Sequence, residues 1–432
     1  MEKKKILLIA YYWPPGGGIA VRRWMGLANA MAREGAVVHV LTIDPECAAY
    51  QHVDEALLEE IEPGICVHRV RAFNPFTAVK KFAPSAIPGA AFSENKSSGV
   101  LGRLLTVLRS HLFIPDPRKT WVRKAIKKGC ALVDEHGLQT VITTSPPQSV
   151  QLIGRGIKHA RSAVHWMADF RDPWTDIFYY DRLGHSALSR SIDAALERKV
   201  LQRADQVLAV SWGLRDLLAA KVAPVHHDKF HVLTNGMDFE PVELSEVSHR
   251  EQGAFRVVYT GTLAPSYAPE AVLDVIAELN AAGERRPIEF DYYGGISPSY
   301  QHELEGRYAF MRFHGFVPQH QIRDVQCAAD VLFLLGPDVE NSTGHIPGKL
   351  FEYMGVLRPI AFLGHPTDDV SRILLDTATG VCLPRENPAE IRAALVQTLE
   401  AGHIAERVQA RRENIQPYIR SNQAKRLLEL FD

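Results

Sequence analysis

Short apolar runs alternate with amphipathic stretches twice along the chain, and this rhythm constrains the fold more than any other feature. Lys4–Tyr11 reads as a buried strand. In Tyr12–Gly18 two prolines fix the approach of the backbone and three glycines let it come close to a ligand. Ala20–Glu34 carries Val21, Trp24, Met25, Ala28 and Met31 at helical spacing, and Gly35 ends it. Val37–Thr42 is the next expected strand. This β-loop-α-β opening predicts a doubly wound parallel sheet. Further strands are expected at Thr140–Thr144, Ala163–Asp169, Gln206–Val210 and His231–Thr234. A second series begins at Phe255–Thr260 and continues through Ile288–Tyr293, Met311–His314, Asp330–Leu335 and Pro359–Leu363. The expected architecture is α/β, with two Rossmann-like domains facing each other across a cleft. The expected boundaries are 1–240 for the first domain, a Glu-rich linker at 241–253, and 254–415 for the second. A final helix at 416–432 is expected to pack back on the first domain.

Composition removes several classes of function. The net charge is −1 with no dense block of Lys or Arg, so nucleic acid is not the expected partner. The five cysteines are scattered, odd in number and never spaced Cys-x-x-Cys, which argues against zinc and a disulfide framework and fits a reducing cytosol. The 18 histidines contain no His-Glu-x-x-His, and a lone His is more often surface or core than ligand. Ile6–Ala10 behind three lysines is too short for a signal peptide and is read as the first strand. No run reaches the roughly 18 apolar residues of a membrane span.

Chemistry concentrates in His345–Pro359. The apolar run ending at Leu335 predicts a buried strand, and a helix is expected from about Lys349. Such a unit aims backbone N–H groups and the positive end of a helix dipole above the strand ends. Lys349 adds a full charge there, after Gly348, and Glu352 lies one turn on along the same face. A cation suits a phosphate, and a carboxylate one turn away suits a pair of hydroxyls. The same residues also describe a capped helix with a surface Lys–Glu pair, so the rest of the chain has to decide.

Seven stretches, in order along nearly the whole chain, do so. They are Tyr12–Gly18 with Arg23, Ile114-Pro115-Asp116 with Trp121, Thr143–Pro147, and Ala168–Trp174. Thr234-Asn235-Gly236, Tyr259–Leu263 and Gly348–Tyr353 complete the set. Together they resemble the family 4 glycosyltransferases of GT-B fold, more closely the branch of bacterial surface-polysaccharide synthesis. The resemblance implies a nucleotide-sugar donor held mainly by the second domain and a lipid-linked or saccharide acceptor held mainly by the first. It also implies retention of anomeric configuration with neither metal nor cofactor, the nucleotide sugar being a substrate. The absence of any Asp-x-Asp agrees with the last point. Asp169, Arg171 and Asp172 sit at an expected strand end, where open α/β sheets place their sites, and are the expected catalytic residues. The implied donor-binding residues are Lys349, Glu352, Gly348, Gly261, Thr262, Gly17, Gly18 and Arg23. Three positions depart from the family: Gly344 where a first Glu is common, Thr262 where an Arg is common, and Arg171 where a His is common. Phosphate charge then falls to Lys349 and Arg23.

Two other readings stay open: a nucleotide-sugar epimerase of the same two-domain shape, and a nucleotide-binding module without catalysis. Residues 77–113 interrupt the βα rhythm with Lys80, Lys81, Arg103 and Arg109 among apolar residues. They are expected either to bury or to dock on an anionic membrane surface, which would place the protein in the cytoplasm, peripheral on the inner face of the cell membrane.

Overall fold

The computed structural model describes residues 3–48, 50, 52–73, 113–178, 180–243, 252–336, 343–401 and 405–431. Two compact units divide the chain: Met1–Thr234 with Arg420–Asp432, and Asn235–Ile419.

The first unit runs β1 (Lys5–Ala10), α1 (Ile19–Arg33), β2 (Val37–Ile43), β3 (Cys66–Val70), α2 (Val122–His136) and β4 (Thr140–Ser145). It continues with α3 (Ser149–Ala160), β5 (His165–Phe170), α4 (Ala187–Arg203), β6 (Gln206–Ala209), α5 (Trp212–Ala219) and β7 (Phe230–Val232). The seven strands are parallel in the order β3-β2-β1-β4-β5-β6-β7. The central strands are apolar along their length because both faces are covered. Leu7 and Ile9 join the core with residues of α2 and α3, while Ile6, Leu8 and Ala10 pack with α1.

The second unit runs β8 (Phe255–Thr260), α6 (Glu270–Ala282), β9 (Ile288–Tyr293), α7 (Pro298–Arg307), β10 (Met311–Phe313), α8 (Gln319–Cys327) and β11 (Val331–Leu335). After it come α9 (Lys349–Gly355), β12 (Ile360–Gly364), α10 (Asp369–Thr377), β13 (Gly380–Pro384), α11 (Pro388–Ala401) and α12 (Ala405–Asn414). Its six parallel strands follow β10-β9-β8-β11-β12-β13. Each unit is therefore Rossmann-like. In each the strand order reverses beside its first strand, at β1/β4 and at β8/β11, where open α/β sheets hold their ligands.

A last helix, α13 (Arg420–Glu429), belongs to the first unit, where Ala424 and Leu427 join the core beneath α1. The chain changes unit earlier than the sequence suggests. Asn235–Glu240 lie with the second unit: Met237 N donates to Tyr418 O at 2.9 Å, and the neighbouring Val242 N donates to Gly355 O at 2.9 Å. Residues 416–419 also lie there. Most of the expected linker falls outside the described residues, as does nearly all of the segment 77–113.

Two elements escape sequence patterning. β3 is an edge strand with only Val70 buried, so it shows no apolar run. α7 buries only Tyr300 and Leu304. Among the described residues no helix is long and apolar enough to cross a membrane.

Candidate functional site

The second unit's switch point is built by tyrosines. Tyr259 ends one side of the β8 core, and its hydroxyl donates to Thr262 O at 2.8 Å. Tyr292 donates to Gly261 O at 2.8 Å and Gly295 O at 2.7 Å. Tyr353, wholly buried on α9, accepts from Thr260 N at 2.9 Å. Burial pushes the phenols of Tyr259 and Tyr353 well up and that of Tyr292 to about 12, so all three remain neutral hydrogen-bonding groups. Backbone bonds add to the frame, with Gly261 N on Tyr293 O at 2.7 Å and Leu263 N on Gly295 O at 3.0 Å. The loop after β8 is thus held rigid at the carboxyl ends of the strands.

Lys349 lies on this loop. Gly261 has φ 147°, a conformation that favours glycine, and a Cβ there would displace the tip of the Lys349 side chain from its present position. Nζ stands 5.5 Å from the centroid of the Tyr259 ring. The side chain is half-buried, and burial lowers its pKa while Glu352 acts to raise it. No carboxylate among the described residues lies within ion-pair distance of Nζ. An ammonium held partly out of water against a ring and a bare backbone favours an incoming anion. The helix it opens has only seven residues, so the local positive charge is mainly the ammonium's rather than a macrodipole's. Gly348 has ordinary right-handed dihedrals, φ −57° and ψ −29°, and the Thr262 side chain is exposed beside the lysine loop. Lys349, Glu352, Gly348, Gly261 and Thr262 are therefore brought together.

In the first unit the sequence expectation needs correction. Arg23 is 1% exposed and Asp169 0%, paired Nη2 to Oδ1 at 2.9 Å. Arg23 also donates to Thr234 O at 2.6 Å and Leu233 O at 2.7 Å. The other carboxylate oxygen of Asp169 accepts from Trp24 Nε1 and Thr144 Oγ1, both at 2.7 Å. The pair fastens α1, β4 and β5 to the chain leaving β7. Burial draws the guanidinium below its usual pKa, with Asp169 opposing the shift. Both side chains are buried and engaged with protein groups, which assigns Arg23 and Asp169 a part in holding the unit together rather than the exposed position expected of a phosphate cation and a catalytic carboxylate. Arg171 is half-buried and holds the loop after β4, donating to Ser145 O at 3.1 Å and Pro146 O at 3.0 Å. Asp172, half-buried just past the end of β5, is the member of the trio left at the open end of the sheet.

The glycine loop is likewise tied down. Gly16 bridges Val53, and Gly17 N donates to His52 O at 3.0 Å. Gly18, at φ 95°, starts α1 with no side-chain cap and has open space around its α-carbon. Of the three glycines, Gly18 is the one that leaves room for a ligand. Asp116, one of the family-like positions, accepts from Ser149 N at 2.7 Å and so caps α3.

Sequence reasoning quoted Tyr259 and Tyr353 within the family-like stretches but gave the tyrosines no role; their signal was a Tyr at or near the carboxyl end of β8 and of β9, with a third on α9. Comparison with known proteins adds the family. A search of curated sequences finds no match. Among solved structures the chain is similar to Anabaena Alr3699/HepE in complex with UDP and glucose, at 13% identity and TM-score 0.57, covering 99% of each chain. It is similar to the lipopolysaccharide outer core galactosyltransferase WaaB, at 13% identity and TM-score 0.57, covering 98% of each. A putative UDP-N-acetylglucosamine 2-epimerase from Listeria monocytogenes matches at 12% identity and TM-score 0.51, over 99% of this chain and 95% of that one. At such identities these likenesses establish the fold, the GT-B class of two Rossmann-like domains. The family follows from the sequence itself: residues 17–236, half of the chain, match the glycosyl transferase 4-like domain, and the chain belongs to that family.

Proposed function

We propose that the protein transfers a sugar from a nucleoside diphosphate donor, held by the second unit, to a lipid-linked or saccharide acceptor served by the first. The observation that carries this reading is Lys349, a half-buried ammonium without a carboxylate in ion-pair range among the described residues, laid on Gly261 at a switch point. Lys349 would take the diphosphate and Glu352 the ribose hydroxyls. Transfer proceeds with retention and without a divalent metal or cofactor. The donor's C1–O bond to phosphate breaks, C1 bonds to the acceptor oxygen on the same face, and the leaving phosphate oxygen takes the acceptor's proton. The protein supplies position and charge. The family membership supports sugar transfer, and the likeness to a lipopolysaccharide outer core galactosyltransferase is in keeping with the further proposal of a role in surface-polysaccharide synthesis.

The test is turnover on a panel of nucleotide sugars after exhaustive chelation, with and without membrane lipid extract. Sugar appearing in acceptor only when extract or saccharide is present is the expected result. Epimerisation without acceptor would establish the second reading, favoured by the likeness to the Listeria protein. Nucleotide binding with no sugar consumed would leave a binding module. Turnover restored only by magnesium or manganese would refute the metal-independent mechanism.

A further inference from the structure

Three histidines converge in the first unit, away from the switch point. β2 alternates its faces: Val38 and Val40 pack beneath α1, while Leu41 and Ile43 face the core with α2 and α3. His39 shares the latter face and is buried. In the β2–β3 register Leu41 pairs with His68 and His39 with Cys66, so His39 and His68 are diagonal neighbours on one face. α2 packs over that face and ends at His136, stopped by Gly137 in the left-handed conformation at φ 61°. Strand register and a helix stop thus set three imidazoles side by side.

The three rings lie close enough together to hold one ion after a small rearrangement. His39 Nδ1 lies 3.0 Å from His68 Nε2, with the rings stacked at 5.2 Å and 4°. The His136 ring centroid is 4.3 Å from that of His39 and 6.1 Å from that of His68. One ring nitrogen from each residue lies within 4.8 Å of the others. Zinc–nitrogen bonds of about 2.0–2.1 Å in a tetrahedron set ligand nitrogens about 3.3 Å apart. The first pair is already near that spacing. Turning the half-exposed His136 ring by about 1.5 Å closes the third side. A hydrogen bond between two rings accounts for His39 and His68 but gives no reason for the third.

We propose that His39, His68 and His136 bind one borderline divalent cation, zinc(II) by preference, which ties the edge strand β3 to α2. Imidazole nitrogen suits this class of ion, and the half-exposed side leaves the fourth position to water. Glu135, 3.7 Å from His136 Nε2, is the acidic neighbour able to orient that ring. His39 and His68 lie in the amino-terminal and middle parts of their strands, so the ion's role is to hold structure. It is independent of the sugar-transfer reading.

The test uses the full chain, stripped of metal by chelation and titrated with zinc sulfate by calorimetry, with melting temperature as a second readout. Expected are about one zinc per chain at micromolar affinity or tighter and a raised melting temperature. Cobalt(II) should give the visible absorption of a tetrahedral site. The His68→Gln/His136→Gln double variant, changed at two half-exposed positions, should melt as the metal-free wild type does and bind zinc at least about tenfold more weakly. Cys66→Ser, altering the thiol opposite His39, should bind as wild type. Absence of saturable binding, equal affinity in the double variant, or loss only in Cys66→Ser would each overturn the proposal, the last two by placing zinc elsewhere among the 18 histidines or on the thiol.

Discussion

Asp169→Asn separates a structural carboxylate from a catalytic one. The substitution keeps shape and removes charge. Arg23, 1% exposed, is then left without its counter-charge. The geometry also turns against the amide. Oδ1 receives Arg23 Nη2, and Oδ2 receives Trp24 Nε1 and Thr144 Oγ1. Whichever way the asparagine is turned, its NH2 meets an N–H donor from Arg23 or Trp24. Removing one partner of a buried ion pair costs about 3–5 kcal/mol. For a unit of this size each kcal/mol moves the melting temperature by about 2–4 °C, so the expected drop is on the order of 10 °C. Thermal melts by circular dichroism would measure it, and turnover well below the transition should be largely kept. The Arg23→Met/Asp169→Leu double variant should lose less than the sum of its single changes, because it leaves no isolated buried charge. A variant melting within about 2 °C of wild type but without turnover would refute this reasoning and return Asp169 to the chemistry.

Lys349→Ala and Glu352→Gln should each weaken nucleoside diphosphate binding by about 1.5–3 kcal/mol, or roughly 10- to 150-fold, at unchanged melting temperature; calorimetry showing wild-type affinity in both would exclude the site. Because burial lowers the Lys349 pKa, its charge is lost at lower pH than that of an ordinary lysine. Diphosphate affinity should therefore fall as pH rises through the alkaline range below the usual lysine value of 10.5, and Lys349→Ala should flatten that dependence. Gly261→Ala should strain the backbone at φ 147° and lower the melting temperature, and in the folded protein it should displace the ammonium and raise the donor KM; an unchanged KM would mean the lysine does not act from this position. Asp172→Asn should reduce turnover more than nucleotide affinity, and intact turnover would assign Asp172 to holding its loop.

The βα rhythm was legible because the central strands are buried on both faces and read as unbroken apolar runs. Phe255–Thr260 and Ile288–Tyr293 end where the sequence places them. What was lost has a common physical cause. β3 is half-exposed at an edge and α7 is polar, so neither leaves a periodic trace. The histidine group is invisible for another reason. His39, His68 and His136 are widely separated in sequence, and only strand register and the end of α2 bring them together. Reading histidines by local spacing finds only ligands that share one element, so a scattered set could not be weighed.

Arg23 and Lys349 show where residue type stops being informative. Each is a cation on the helix that follows a strand flanking a switch point, and each was expected to meet phosphate. The difference lies in what surrounds the charge. Around Arg23 the chain supplies a carboxylate and two carbonyls within 2.9 Å, so both terminal nitrogens of the guanidinium are engaged by the protein itself. Around Lys349 it supplies a ring face and a glycine α-carbon, which shelter the ammonium, and among the described residues no carboxylate stands in ion-pair range of it. The first arrangement favours the folded chain and the second favours an anion. The feature that separates them in sequence is Asp169, which looked catalytic because it ends a strand. Its side chain points into the unit among Arg23, Trp24 and Thr144, whereas Asp172, three residues on, has passed the strand end. A carboxylate that close to a strand terminus can serve either the core or the ligand, and a shift of a few residues decides which.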